Sequence, residues 1–169
     1  IIASSIDLAA SEVELVDVVG REHVLKNILS KLSRYDFVFI DCPPALGLLT
    51  INSLVAANSV IIPLQCEFFA LEGLSSLNTT IETIKSDLNK SLFIEGVVLT
   101  MYDKRNTLSS LVEEDVRSFF KDKVHKTIIP RNVRVSEAPS HGKPVIIYDT
   151  SCVGAQAYIG RAKEVIFNQ

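Results

Sequence analysis

In the stretch "YDFVFIDCPP", residues 35 to 44, four apolar residues from Phe37 to Ile40 end on Asp41, then Cys42, Pro43 and Pro44. A carboxylate held at the end of an apolar strand can bind Mg²⁺ or orient a water beside a phosphate. The same residue could instead cap the helix that follows. Two prolines fix the direction of the exit loop and withhold backbone N–H groups, which gives that loop a defined shape. A second stretch, "KDKVHKTIIPRNVR", sets Lys121, Lys123, Lys126, Arg131 and Arg134 against Asp122 alone. Cations gathered in this way neutralise nucleic-acid phosphates without reading sequence, or else form an ordinary solvated helix end. His23, His125 and His141 have no carboxylate or cysteine at ligand spacing, and no GxSxG elbow is present, so neither a histidine metal centre nor a serine triad is expected.

The elements that must position these groups follow from hydrophobic period. "DFVFI" (36–40), "SVIIPL" (59–64) and "IEGVVLT" (94–100) are short, rich in β-branched residues and read as fully buried strands. Amphipathic helices lie between and after them. Residues 21–33 place Val24, Leu25, Ile28, Leu29 and Leu32 on one face, and residues 71–88 do so with Leu74, Leu77, Ile81, Ile84 and Leu88. Residues 108–122 repeat the pattern through Leu111, Val112, Val116, Phe119 and Phe120, and 154–167 close the chain. Alternating strands and helices predict an α/β fold, a doubly wound, mostly parallel sheet with helices on both faces, built as one domain over 1–169. In such a sheet ligands sit outside the carboxyl ends of the strands, where Asp41 falls.

Composition narrows the classes further. With 169 residues, 47% of them hydrophobic, the chain can bury one core. A net charge of -3 gives no general attraction for nucleic acid or anionic lipid, so any such affinity must be local. Cys42, Cys66 and Cys152 are odd in number and widely spaced, as in a reduced cytoplasmic protein, and Cys42 and Cys66 read as structural. No apolar run reaches the roughly 20 residues of a membrane span. The first residue is not Met, so the chain is expected to begin partway through a longer one.

The stretch "YDFVFIDCPPALGLLTINSLVAANSVIIPLQCEFFALEGL" resembles the second switch and following strand of the ParA and Soj chromosome-partition ATPases, deviant P-loop proteins related to the cell-division regulator MinD. "VVLTMYDKRNTLS" and "TIIPRNVRVSEAPSHGKPVIIYD" resemble the same family in the same order, so the likeness runs from about Ser5 to Val165. The resemblance implies that Asp41 is the Walker B type acid, catalytic and close to Mg²⁺ and the attacking water. It also implies that Met101 lies beside the base of ATP, with Pro130 and Asn132 in the adenine pocket. An apolar proline wall and an amide with a donor and an acceptor suit a purine, whereas Met101 could equally be a core residue. Arg105 and Arg134 match arginines that contribute to non-specific DNA binding by the ATP-bound dimer. A ParB-type centromere-binding partner is implied too.

The phosphate loop of that superfamily, GxxxxGK[ST], is missing from these residues. Of the seven glycines only Gly142 precedes a lysine, and Lys143 is followed by Pro144, which offers neither hydroxyl nor N–H. The chain therefore resembles the carboxyl-terminal two-thirds of such a protein, and in that fold the missing strand lies beside "DFVFI", whose edge would be left open. Alone, the 169 residues are expected neither to bind ATP tightly nor to hydrolyse it. The expected whole is an ATP-dependent, nucleoid-associated dimer. The alternatives are a non-catalytic interaction module and a MinD-like regulator, the latter disfavoured by a last helix with only a moderate apolar face.

Overall fold

A computed structural model describes residues 3–43 and 45–167. The elements are α1 (Ser11–Glu14), α2 (Val24–Leu29), α3 (Leu48–Ala56), β1 (Ser59–Gln65), α4 (Ala70–Asp87), β2 (Phe93–Thr100), α5 (Thr107–Phe120), α6 (Val133–Glu137), α7 (Val145–Tyr148) and α8 (Val153–Phe167), with short 3-10 turns between some of them. The chain forms two compact units, one of Ile1–Val60 with Ser76–Phe93 and one of Ile61–Ser75 with Ile94–Gln169. The class is α/β, a parallel sheet with helices on both sides.

In the first unit, two buried asparagines satisfy helix ends. The Asn52 Oδ1 accepts from Leu25 N–H at 3.1 Å while its Nδ2 donates to Arg21 O at 2.8 Å and to Leu48 O, which satisfies the start of α2. Asn89, 5% exposed, donates from Nδ2 to the carbonyls of Leu54 (3.0 Å), Val55 (3.2 Å) and Ala57 (2.8 Å). Those carbonyls end α3 and have no helical partner of their own. The helix expected over 21–33 is shorter, because α2 stops at Leu29. Its apolar face is incompletely covered: Ile28 and Leu32 are exposed. The face expected on 71–88 is present, with Leu74, Ile81 and Ile84 buried and Leu77 and Leu88 half-buried.

"DFVFI" departs from the buried strand expected of it. Residues 37–41 carry no strand pairing, and Phe37, Val38 and Phe39 are exposed, the rings of Phe37 and Phe39 stacking at 6.2 Å. The cause is the lack of a hydrogen-bonding neighbour, since among the described residues the sheet holds β1 and β2 only. Apolar composition does not bury a strand without chains on its flanks. Cys42 is likewise exposed, against the structural role expected for it.

The second unit holds most of both strands, from Ile61 in β1 and from Ile94 in β2. β2 is buried almost throughout because it is flanked on both sides. Cys66 N–H donates to Thr100 O at the end of β1, and the extended segment 124–130 pairs parallel to β2 on the other flank through Val97 with Val124 and Tyr102 with Pro130. β1 has only one described neighbour, and towards its end it alternates, with Ile62 and Leu64 buried and Pro63 and Gln65 exposed. On α5 the buried stripe is Ser109, Val112, Val116 and Phe120. This i, i+3, i+4 row is narrower than expected and leaves Leu111 and Phe119 outside. Ala138, Val145 and Ala155 form a smaller buried cluster, with Val135, Tyr148 and Cys152 packed against it.

Candidate functional site

Asp41 belongs to the first unit. It stands exposed at the end of the unpaired 37–41 segment, and Pro43 beside it is exposed as well, while Pro44 lies outside the described residues. The helix that follows begins at Leu48 with Gly47 as its N-cap residue. Asp41 is six residues too early to cap it, which removes the capping alternative. Among the described residues no group of three or more His, Cys, Asp or Glu could hold a metal. One carboxylate alone does not make a Mg²⁺ site, because this ion is usually held by one or two carboxylates together with substrate phosphates.

The other expected residues lie in the second unit, and backbone pairing brings three of them together at the carboxyl end of β2. Met101 takes the left-handed conformation, φ 53, unusual for a residue with a side chain and costing roughly 1–2 kcal/mol. This turn lets Tyr102 leave the line of β2 and pair with the neighbouring segment. Tyr102 N–H donates to Ile129 O at 3.2 Å, and Arg131 N–H donates to Tyr102 O at 2.9 Å. Met101 thus lies one residue from the Tyr102–Pro130 bridge, and Asn132 follows two residues on. All three side chains are half-buried. Asn132 Oδ1 accepts from Val135 N–H at 3.3 Å as the N-cap of α6. That bond fixes the orientation of the amide and leaves the Nδ2 donors for another partner.

The arginines among the basic groups are paired with carboxylates. Arg105 grips Asp103 through Nε to Oδ1 (3.0 Å) and Nη2 to Oδ2 (2.9 Å), a bidentate fork. The hydrogen bonds from Arg105 hold the Asp103 carboxyl down at about 2, and the Arg105 guanidinium is correspondingly raised. Arg134 donates to Glu137 Oε2 at 2.9 Å and approaches Asp149 Oδ2 at 3.6 Å, with Glu137 the main cause of its raised pKa. Arg131 meets Glu67 at 3.4 Å. Lys121, Lys123 and Lys126 are exposed. A patch of free arginines is therefore not what the fold displays. Each guanidinium would exchange one anion for another on meeting a phosphate.

Sequence reasoning missed His125 and its partners. Arg161, 7% exposed, reaches the His125 ring at 3.1 Å, and Glu164 stands beside both. A separation of 36 positions between His125 and Arg161 conceals the pair, although one sign was available, an arginine inside the small-residue face of the last helix.

Comparison with known proteins places the chain. A model of the AAA domain family matches residues 1–94. Over 169 residues the chain is 54% identical to the sporulation initiation inhibitor protein Soj of Bacillus subtilis, covering 99% of this chain and 67% of that protein. It is 53% identical to the chromosome partitioning protein ParA of Caulobacter vibrioides, covering 98% and 63%. The chain belongs to the ParA/Soj family. It spans about two thirds of the length of these curated relatives. Among solved structures, cobyrinic acid a,c-diamide synthase from Mycobacterium smegmatis, with a bound ATP analog and magnesium, superposes with a TM-score of 0.80 at 35% identity, over 98% of this chain and 63% of that one. Met101, Pro130 and Asn132 lie together at the carboxyl end of β2, and the sequence holds no loop of the GxxxxGK[ST] pattern that would cradle phosphates. No helix of the described residues is long and apolar enough to cross a membrane.

Proposed function

We propose that these residues are the base-binding and switch portion of a ParA/Soj-type ATPase that partitions chromosomes or plasmids in the cytoplasm, on the nucleoid. The observation that carries this reading is the 54% identity to Soj along the whole chain. Pro130 forms the apolar wall for adenine, Asn132 Nδ2 donates to its edge, and Met101 lines the same end of β2. Asp41 is the acid that assists Mg²⁺ and orients the attacking water. The bound nucleotide supplies the charge and the Mg²⁺ ligands that order the switch segments, and it thereby drives dimerisation. Arg105 and Arg134 of the dimer exchange their carboxylates for DNA phosphates, without sequence preference, and a ParB-type partner stimulates hydrolysis and release.

For these 169 residues taken alone, the missing GxxxxGK[ST] loop favours a second reading, a module without catalysis that keeps only partner or DNA contacts. One experiment separates the two. The chain is assayed for magnesium-dependent ATP turnover by itself and again with the amino-terminal third of the Bacillus subtilis relative fused ahead of Ile1. The expected result is no turnover alone, turnover in the fusion, and loss of turnover in the fusion on Asp41→Ala. A fusion that binds no ATP, or an Asp41→Ala variant that hydrolyses normally, overturns the assignment.

A further inference from the structure

Three elements of the second unit converge on His125. From α8, Arg161 Nη1 lies 3.1 Å from His125 Nδ1. From α5, Arg117 donates to the His125 carbonyl at 3.4 Å. From β2, Gly96 faces the ring, and a Cβ there would collide with Nε2.

A guanidinium can only donate, so Nδ1 must accept, and the ring is neutral with its proton on Nε2. That Nε2 is buried and has no hydrogen-bond partner among the described residues. Glu164 completes the arrangement by accepting from the backbone N–H groups of Lys126 and Thr127, both at 3.2 Å, while its Oε2 stands 3.9 Å from Nδ1.

The consequence is mechanical. Residues 125–127 are tied to α8, and the same segment is tied to β2 by His125 N–H to Val97 O at 2.9 Å and Ile129 N–H to Leu99 O at 2.8 Å. It runs directly into Pro130 and Asn132. A proton added at Nδ1 would point N–H at N–H across the Arg161 contact, in a place where the His125 side chain is only 15% exposed. The charged ring could turn instead to Glu164, but only by drawing that carboxylate from the two amides it holds. The other charges that act here are Glu95 on β2, which bears on both His125 and Arg161, and Arg117. Burial first, and Arg161 second, hold the imidazole below its ordinary 6.5.

We propose that neutral His125 is a positioning residue: through Arg161 and Glu164 it keeps segment 124–132 in register with β2, and its protonation releases that segment. The consequence for nucleotide binding rests on the reading of Pro130 and Asn132 as the adenine wall. The test uses the 169-residue chain with ring-labelled histidine, titrated by NMR, with His125→Gln providing the assignment. His125 should titrate at a lower pH than the same residue in the urea-unfolded chain. Across that transition the amides of Ile129 and Arg131 should lose at least about ten-fold of their protection from hydrogen exchange, after correction for the intrinsic pH dependence. His125→Gln keeps an acceptor for Arg161 and takes no proton, so its protection should persist through the same range.

A midpoint at or above the unfolded one overturns the proposal, as does the same acid loss of protection in His125→Gln. Should that variant fail to fold, the midpoint and exchange profile of the parent chain decide alone. In the fusion with the amino-terminal third, ATP affinity that falls over the same pH range supports the adenine wall. Affinity indifferent to pH, with the lock still titrating, removes Pro130 and Asn132 from the base site and leaves the lock standing.

Discussion

Gly96→Ala tests the packing around His125 directly. The added methyl would overlap His125 Nε2 and come within 2.5 Å of its Cδ2 and 2.8 Å of the Lys123 carbonyl oxygen. The ring can retreat only by giving up Arg161, and the carbonyl is backbone that cannot retreat alone. Overpacking costs about 1–3 kcal/mol, and loss of a hydrogen bond to a charged group about 1.5–3 kcal/mol more. Replacing glycine in a strand returns roughly 0.5–1 kcal/mol. A net loss of at least about 1.5 kcal/mol is expected, or about 3–6 °C in Tm for a chain of this size. Gly160→Ala is the control. Its methyl would meet only Thr127, at 3.6 and 3.7 Å, ordinary contact inside α8, and it should stabilise by about 0.5–1 kcal/mol. Urea unfolding followed by circular dichroism measures both, and repeating Gly96→Ala in a His125→Ala background isolates the ring. The reasoning is refuted if Gly96→Ala matches the parent, or if its cost is the same with and without the imidazole.

Other outcomes follow from the same contacts. Asn89→Ala should cost about 1–3 kcal/mol in urea unfolding, because three carbonyls at the end of α3 lose their donor. In the fusion with the amino-terminal third, Arg105→Ala and Arg134→Ala should weaken DNA binding for every sequence and flatten its salt dependence by about one ion each, whereas Asp103→Asn should strengthen it by freeing Arg105. Unchanged affinity in all three would remove these residues from the account. For acid stability the sign is fixed by the lowered pKa of His125. The folded chain binds fewer protons than the unfolded chain, so its contribution is complete above 6.5 and is lost as pH falls through the folded-state value. Urea midpoints of the parent and His125→Gln, measured at neutral pH and in mild acid, should diverge only in acid.

Much of the architecture was legible from period alone. The runs at 59–64 and 94–100 are strands, and the helices expected after them are present, because their apolar residues have covering chains. "DFVFI" has the same composition but a different fate, since burial belongs to its neighbours rather than to its own residues. The 124–130 segment escaped notice for the opposite reason. Its Lys126 and His125 read as part of a charged run, while Val124 and Ile129, five apart, keep neither a strand nor a helix period. At the candidate site, the family resemblance pointed to Met101, Pro130 and Asn132, and the backbone brings them together at the carboxyl end of β2, but no local signal announces the left-handed turn at Met101. The spacing of Asp103 and Arg105 made their ion pair foreseeable. That of Arg134 and Asp149 depends on how the chain returns.

The burial of Cys66 has a practical corollary. Its thiol, pushed up to about 11 by burial and then by Glu113, is a poor nucleophile at neutral pH, and Cys152 is half-buried, with its sulfur accepting from Ala155 N–H. A maleimide dye applied briefly should consequently mark Cys42 first. That dye would sit one residue from Asp41, and its fluorescence would report on the carboxylate's surroundings without any further engineering of the chain.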